Sequence, residues 1–526
     1  MKLSTALAVS AFLTAYSHAW AQPVRIETGL IEGIQNGSST VYKSIPFAAP
    51  PVGELRWRAP QPAPPWNGVR RADKFGPIAM QSGASVPGAP AEPVSEDCLT
   101  LSVWTPSKSA EQKLPVMVWI PGGGFTQESA SMPLYWGDAL ATRGVIVVTI
   151  NYRVGLLGWL AHPELSRESG YHSSGNYGLL DQIAALAWIK RNIAAFGGDP
   201  GRVTIWGQSA GSMSISLLMA SPRARGLFQR AIGQSGAYLV PPAATGSPEG
   251  LFLKGAEEKG VRLASDLGAT SLEALRKLEP ERFLKNGIAG TMHPIIDGYV
   301  VPEEPYFAFA AGRQNDVAIL IGSNADDARP LIPSGNIRLA TFVQDLGNAW
   351  GSKVVRALAE EYIKTYPATT DKEARESRAK FETDLRYGWD MWTWGRMQAK
   401  TGRAKVFYYY FAHLPPYPKD GPFADWRAGH WSELPYVFDH LSQESWAWSD
   451  ADRALANLMA TYWTNFPKTG DPNGDGVPVW PNFTTDREQV LHFDKSATIG
   501  GVPNLEWLRR LDLRYKGLRS PATGLK

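Results

Sequence analysis

Apolar positions along this chain recur with two periods, one of strands and one of helices, and the two take turns. Residues 99–104 alternate apolar with small polar side chains, residues 114–120 form an apolar run of strand length, and residues 144–150 are almost wholly apolar behind Gly144. Such runs predict strands, the last of them buried on both faces of a sheet. Residues 179–196 then place Leu179, Ile183, Leu186, Ile189 and Ile193 near helical period and stop at Gly197-Gly198, which predicts a helix. A β-branched run through Val203, Thr204 and Ile205 follows, halts at Gly207, and gives way to the small and apolar residues 212–219, a second predicted helix. Residues 317–321 and 406–411 predict two more buried strands. Strand, helix, strand in this order predicts an α/β fold, a large and mainly parallel central sheet with helices on both faces.

The ends of the chain read differently. Residues 24–28 alternate, Gly29 punctuates, and residues 30–35 lead into Asn36-Gly37 before Thr40-Val41-Tyr42, which predicts an N-terminal β-hairpin meander with an Asn-Gly turn. Proline-rich stretches at 50–53, 60–66 and 87–93 predict long covering loops around a site. Before all of these, Met1-Lys2, a mostly apolar stretch 3–16 and Ala19-Trp20-Ala21 predict a secretory signal, residues 1–21, cleaved after Ala21. Export to a periplasm or the outside follows from that leader. Residues 22–526 are read as a single domain, since no repeat and no long linker divides them. No later stretch reaches the roughly 18 uninterrupted apolar residues of a membrane span.

Composition narrows the picture in two places. The formal net charge is +3 over 526 residues with no Lys/Arg run, so neither nucleic acid nor an anionic membrane surface is indicated as a partner. The sequence does not fix the oligomeric state, and a monomer is assumed. Cys98 is the single cysteine, so no intramolecular disulfide is possible and the thiol is read as a core residue. No metal-ligand spacing, phosphate-binding glycine loop or nucleotide fingerprint occurs, so neither a metal nor a cofactor is expected.

The chemistry is concentrated where the strand 203–206 meets the helix 212–219. Gly207-x-Ser209-x-Gly211 has the spacing of a nucleophile elbow, a strained strand-to-helix turn in which side-chain-free neighbours make room for an exposed serine. Pro121-Gly122-Gly123-Gly124-Phe125 follows the strand 114–120, upstream of the serine, where an oxyanion loop accompanies such an elbow. A base is then needed downstream, with an acid between. Among the later histidines, His413 and His492 lie in or at the end of strand-like runs, and His440 ends an apolar stretch behind Asp439. His430 stands in the loop Arg427-Ala428-Gly429-His430-Trp431 and is the candidate base. The loop after the strand 317–321 offers Asp326 and Asp327 side by side, and the pattern does not choose between them.

Beyond these residues the chain resembles the type-B carboxylesterases, the family of bacterial para-nitrobenzyl esterases, fungal lipases and cholinesterases. The resemblance runs from Ile45-Pro46-Phe47-Ala48-Ala49-Pro50-Pro51 through Ser95-Glu96-Asp97-Cys98-Leu99, Asn151-Tyr152-Arg153, and Gly175-Asn176-Tyr177-Gly178-Leu179-Leu180-Asp181-Gln182 to Lys468-Thr469-Gly470-Asp471-Pro472. It implies an α/β-hydrolase fold and a serine esterase acting on a small-molecule ester through an acyl-enzyme. It also implies Ser209 as nucleophile, His430 as base, Asp327 as acid, and the N–H groups of Gly123, Gly124 and Ala210 as oxyanion hole. Arg153 and Asp181 resemble a structural ion pair of the family. The chain departs from the family at Asp327, where glutamate is usual, at Ala328, where glycine is usual, and at Pro121, where His or Tyr is usual.

Gln208 stands where cholinesterases carry glutamate, so a neutral amide replaces the charge that would sit beside a quaternary ammonium, and choline esters gain no advantage. Phe125 and Trp392, the latter among Trp389 and Trp394, are read as limiting substrate size, and with Gln208 they complete the expected substrate contacts. Two other readings are carried. A lipase or polymer-ester hydrolase of the same fold would use the tryptophans as an aromatic cleft. A non-catalytic adhesion relative would lack the serine or the histidine, and both are present here.

Overall fold

The computed structural model describes residues 20–83, 92–245, 249–284, 292–332, 337–350 and 353–519. Most of the leader, residues 1–19, and most of the proline-rich stretch 87–93 lie outside the described residues. An eleven-stranded sheet runs through the molecule in the order Ala497–Gly501, Gln489–Phe493, Val406–Phe411, Ala318–Asn324, Arg230–Gln234, Gly198–Gln208, Leu114–Ile120, Ile146–Ile150, Thr100–Thr105, Ser39–Pro46 and Ile34–Asn36. From Gln489–Phe493 to Ile146–Ile150 all neighbours are parallel, and the pairings at both edges are antiparallel.

The centres of the parallel strands, such as residues 203–206, 231–232 and 319–321, are fully buried and mostly apolar because both faces are covered. Along Leu114–Ile120, Val116, Val118 and Ile120 pack into one core while Met117 and Trp119 pack into the other. The predicted helix at 179–196 is Tyr177–Asn192 with a 3₁₀ turn Ile193–Phe196, and Gly197 at φ +82° ends it in the left-handed region that glycine tolerates. The meander is split between two sheets. Val24–Ile26 and Gly29–Glu32 pair with Val69–Arg71 in a small separate sheet, while Ile34–Asn36 and Ser39–Pro46 form the edge hairpin of the large one. Its turn is Gly37-Ser38 rather than Asn36-Gly37, since Asn36 pairs with Ser39 and Gly37 supplies the positive φ of +57°.

Sequence order and sheet order part company at one place. Leu114–Ile120 is followed by Ile146–Ile150 on one side, and the chain then returns to lay Gly198–Gln208 on the other. The crevice at the carboxyl ends of Leu114–Ile120 and Gly198–Gln208 is therefore a topological switch point, where open α/β sheets bind ligands. No helix among the described residues is long and apolar enough to cross a membrane.

Candidate active site

The two glycines that flank Ser209 are there for the same reason, which is lack of room. A Cβ on Gly207 would lie 2.8 Å from the Ile120 carbonyl oxygen, and one on Gly211 would lie 2.0 Å from it. The turn between them holds Ser209 at φ +57°, ψ −125°, strained backbone for a residue with a side chain, and its N–H donates to the Gln234 carbonyl at 2.8 Å. The helix Ala210–Ala220 starts at once. Ser209 thus stands at its N-terminus, where the helix dipole favours developing negative charge.

The glycine loop is shaped against this turn. Gly123 and Gly124 take φ of +76° and +61°, and a Cβ on Gly122 would meet the Gln208 carbonyl at 2.8 Å. Tyr152 donates its hydroxyl to the Pro121 carbonyl at 2.8 Å, and Trp159 donates its indole N–H to the Phe125 carbonyl at 2.8 Å. Pro121 costs the loop nothing in this arrangement, because the group used at that residue is its carbonyl.

The base comes from the opposite side. The loops after Ala318–Asn324 and before Leu434–Val437 are zipped together, with the Asp326 N–H on the Ala428 carbonyl at 2.9 Å and the Asn324 side-chain amide on the Gly429 carbonyl at 2.8 Å. That places Asp327 Oδ1 2.6 Å from His430 Nδ1, while Asp327 Oδ2 accepts the Asn324 N–H at 2.9 Å. Both side chains are buried, at 0% and 1% exposure. Asp326 turns away and faces Arg427 at 3.5 Å. Tyr387 stacks on the imidazole at 4.9 Å between centroids, with 27° between planes. The remaining candidates are engaged elsewhere: His413 with Asp452, His440 with Leu134 and Asp138, and His492 with the Gly501 carbonyl. Cys98 is buried, and burial pushes its thiol pKa up, which suits a core residue.

Ser209, Ala210, Gly123, Gly124, Phe125 and His430 all line one cavity of about 790 Å³. Its walls are mostly apolar and aromatic, with Met213, Met292, Tyr387, Trp426 and Trp431 among them. Two expected substrate contacts lie elsewhere. Trp392 is buried away from the cavity, donating its indole N–H to Glu488 at 2.8 Å beneath the Arg396 guanidinium at 4.2 Å. Gln208 is also buried behind the serine and is bonded to His430, so it does not face the alcohol part of a substrate.

The residues missed are instructive. Trp426 and Trp431 stack at 5.8 Å on either side of the His430 loop, and proximity to His430 in sequence was the available signal. Tyr387 carried none. It sits in a π-helical turn, Asp384–Gly388, between the helices Asp371–Thr383 and Trp389–Thr401, and the wider turn rotates the faces that follow it.

The model of the carboxylesterase family matches residues 21–507. The fumonisin B1 esterase of Sphingopyxis macrogoltabida is 35% identical over 90% of this chain and 86% of its own. The para-nitrobenzyl esterase of Bacillus subtilis (strain 168) is 34% identical over 93% of this chain and 98% of its own. Among solved structures, a thermophilic para-nitrobenzyl esterase superposes with a TM-score of 0.80 at 31% identity, over 93% of this chain and 99% of that one.

Proposed function

We propose, on the premise that the chain belongs to the carboxylesterase family and is a carboxylic ester hydrolase, that hydrolysis passes through an acyl-enzyme on Ser209. The observation that carries this reading is convergence. A strained serine, a carboxylate-held histidine and a glycine loop meet on one wall of one cavity.

The geometry supports the following steps. Asp327 accepts the Nδ1–H of His430, which leaves the Nε2 lone pair available as base. As Ser209 Oγ attacks the ester carbonyl, its proton passes to Nε2 and the carbonyl oxygen becomes an oxyanion facing the N–H groups of Gly123, Gly124 and Ala210. Collapse breaks the acyl–oxygen bond, and Nε2 returns the proton to the departing alcohol. A water then repeats the sequence on the acyl group and releases the acid. A volume of about 790 Å³ with mostly apolar walls suits an uncharged ester of medium size with aryl or alkyl groups. The apolar leader supports action after export, in a periplasm or outside.

Labelling with a fluorophosphonate tests the reading. The label is expected on the Ser209 peptide, and Ser209→Ala is expected to lose it together with about 10³-fold or more of kcat. A label on another serine, or near wild-type turnover in the variant, overturns the assignment.

A further inference from the structure

One side chain against His430 has no part in the steps above. Gln208 is 1% exposed, its Nε2 lies 3.1 Å from His430 Nε2, and its Oε1 is buried without a hydrogen-bond partner among the described residues. The other groups around the imidazole face different parts of it. Asp327 holds Nδ1, Tyr387 covers one ring face, and Trp431 stands tilted at 5.2 Å. Glu433, near enough to feel the histidine charge, is a buried carboxyl pushed up to about 7 and held by the Asn324 and Gln234 amides. Among the described residues, Gln208 is the one whose side chain hydrogen-bonds the nitrogen that must take the serine proton.

An amide N–H donates to Nε2 only while that nitrogen bears a lone pair, which is the Nδ1–H tautomer that also fits Asp327. Nε2 carries one lone pair, so the amide N–H gives way as the Ser209 hydroxyl takes that lone pair, and once Nε2 is protonated an amide N–H left in place would face another N–H. A half turn of the amide exchanges its two ends, relieves that conflict, and gives Oε1 the donor it lacks. A buried carbonyl oxygen without a partner is costly, so the resting state stores what the protonated state releases.

We infer that Gln208 is a positioning residue, a two-state amide latch that holds neutral His430 in its base-ready tautomer through N–H donation and holds the imidazolium through Oε1. The latch rests on the assignment of Ser209 and His430 made above. It makes and breaks no covalent bond. The proton travels from Ser209 Oγ to Nε2, rests against Oε1, and leaves that contact to reach the departing alcohol.

The test is the pH profile of kcat/KM for p-nitrophenyl butyrate in the whole protein carrying Gln208→Glu or Gln208→Leu. Active-site titration normalises kcat, and a melting curve verifies folding. Glutamate keeps the shape and puts a carboxylate beside the imidazolium, so the acid limb is expected to move up by about one pH unit or more. Leucine offers neither donor nor acceptor, so kcat is expected to fall about 10- to 100-fold with KM little changed. Wild-type profiles and kcat in both variants overturn the latch, and so does a rise in KM at constant kcat in Gln208→Leu, which marks a substrate contact. Ser209→Ala separates the two levels. Turnover in that variant sinks the functional assignment itself, whereas an inactive Ser209→Ala beside unshifted Gln208 variants sinks the latch alone.

Discussion

Asp181 and Asp327 are both fully buried carboxylates, and each holds a nitrogen at hydrogen-bonding distance, yet the two pairs do opposite work. Asp181, on the helix Tyr177–Asn192, takes Arg153 in a closed embrace: Oδ2 accepts from the Arg153 backbone N–H at 3.0 Å and Nε at 2.8 Å, and Oδ1 accepts from Nη2 at 2.7 Å. The charge is permanent and both oxygens face the same residue. Asp327 spends one oxygen on the Asn324 N–H and the other on a ring whose far side reaches the cavity. The closed pair joins the strand side of the fold to a helix, and in the proposed reaction the open pair moves a proton.

The largest expected effect separates these roles. Asp327→Asn should keep the melting temperature and lower kcat on the order of 10³- to 10⁴-fold, because the tautomer and the imidazolium both depend on that carboxylate. Asp181→Asn should instead cost about 3–5 kcal/mol of stability, since Arg153 is left charged and buried with half its partner gone. Turnover per folded molecule should stay near wild type. Thermal melts with titrated active sites check both. An Asp181→Asn protein that folds normally but turns over as poorly as Asp327→Asn would erase the distinction. Asp326→Asn belongs with neither and should change kcat by less than about threefold, because its partner is Arg427.

What the sequence made legible follows the same division between closed and open. Runs such as Leu114–Ile120 and Val406–Phe411 announced their strands because burial on both faces leaves only apolar residues. Gly207 and Gly211 announced the elbow because steric crowding admits nothing else there. His430 stood out as the loop histidine, while the choice of Asp327 over Asp326 came only from resemblance, because nothing local says which of two adjacent carboxylates turns inward. Trp392 and Gln208 were misplaced for a related reason. Trp392 was read from its place in a cluster of tryptophans, which does not say where each indole points, and within the helix Trp389–Thr401 its N–H goes to Glu488. Gln208 was read by its neighbour in sequence, whereas its contact is a loop 222 residues away.

A smaller effect should separate the two groups of tryptophans. Trp426→Ala removes a cavity wall, so it should change the preference between bulky and small acyl groups about three- to tenfold in kcat/KM while stability moves little. Trp392→Phe removes the indole N–H from Glu488 beneath a guanidinium, so it should cost about 1–2 kcal/mol of stability and leave the preference alone. Kinetics on paired acetyl and benzoyl esters, with melts, decide it. Equal preference changes in both would return Trp392 to the substrate site.

The smallest effect concerns a third buried carboxylate, one with no cation at bonding distance. Asp384, first residue of the π turn, accepts from the Asn504 side-chain amide at 3.2 Å and 3.1 Å, and burial pushes its pKa up to about 7 against the weaker pull of Lys380. Because the folded value lies above the unfolded one, the stability linked to its proton is fully present below about pH 4 and is lost as pH rises through about 7. Asp384→Asn has the shape of the protonated acid and cannot ionise. Below about pH 4 the variant and the wild type should therefore melt together. Their separation should grow in the variant's favour through pH 7, on the order of a few degrees for a chain of this size, and level off above it. Glu433 is also pushed up to about 7, but it titrates in both proteins and cancels in the difference. A separation that stays flat from pH 5 to 8 would mean that Asp384 folds already ionised. Arginine would then not be what divides a silent buried carboxylate from one that answers to pH.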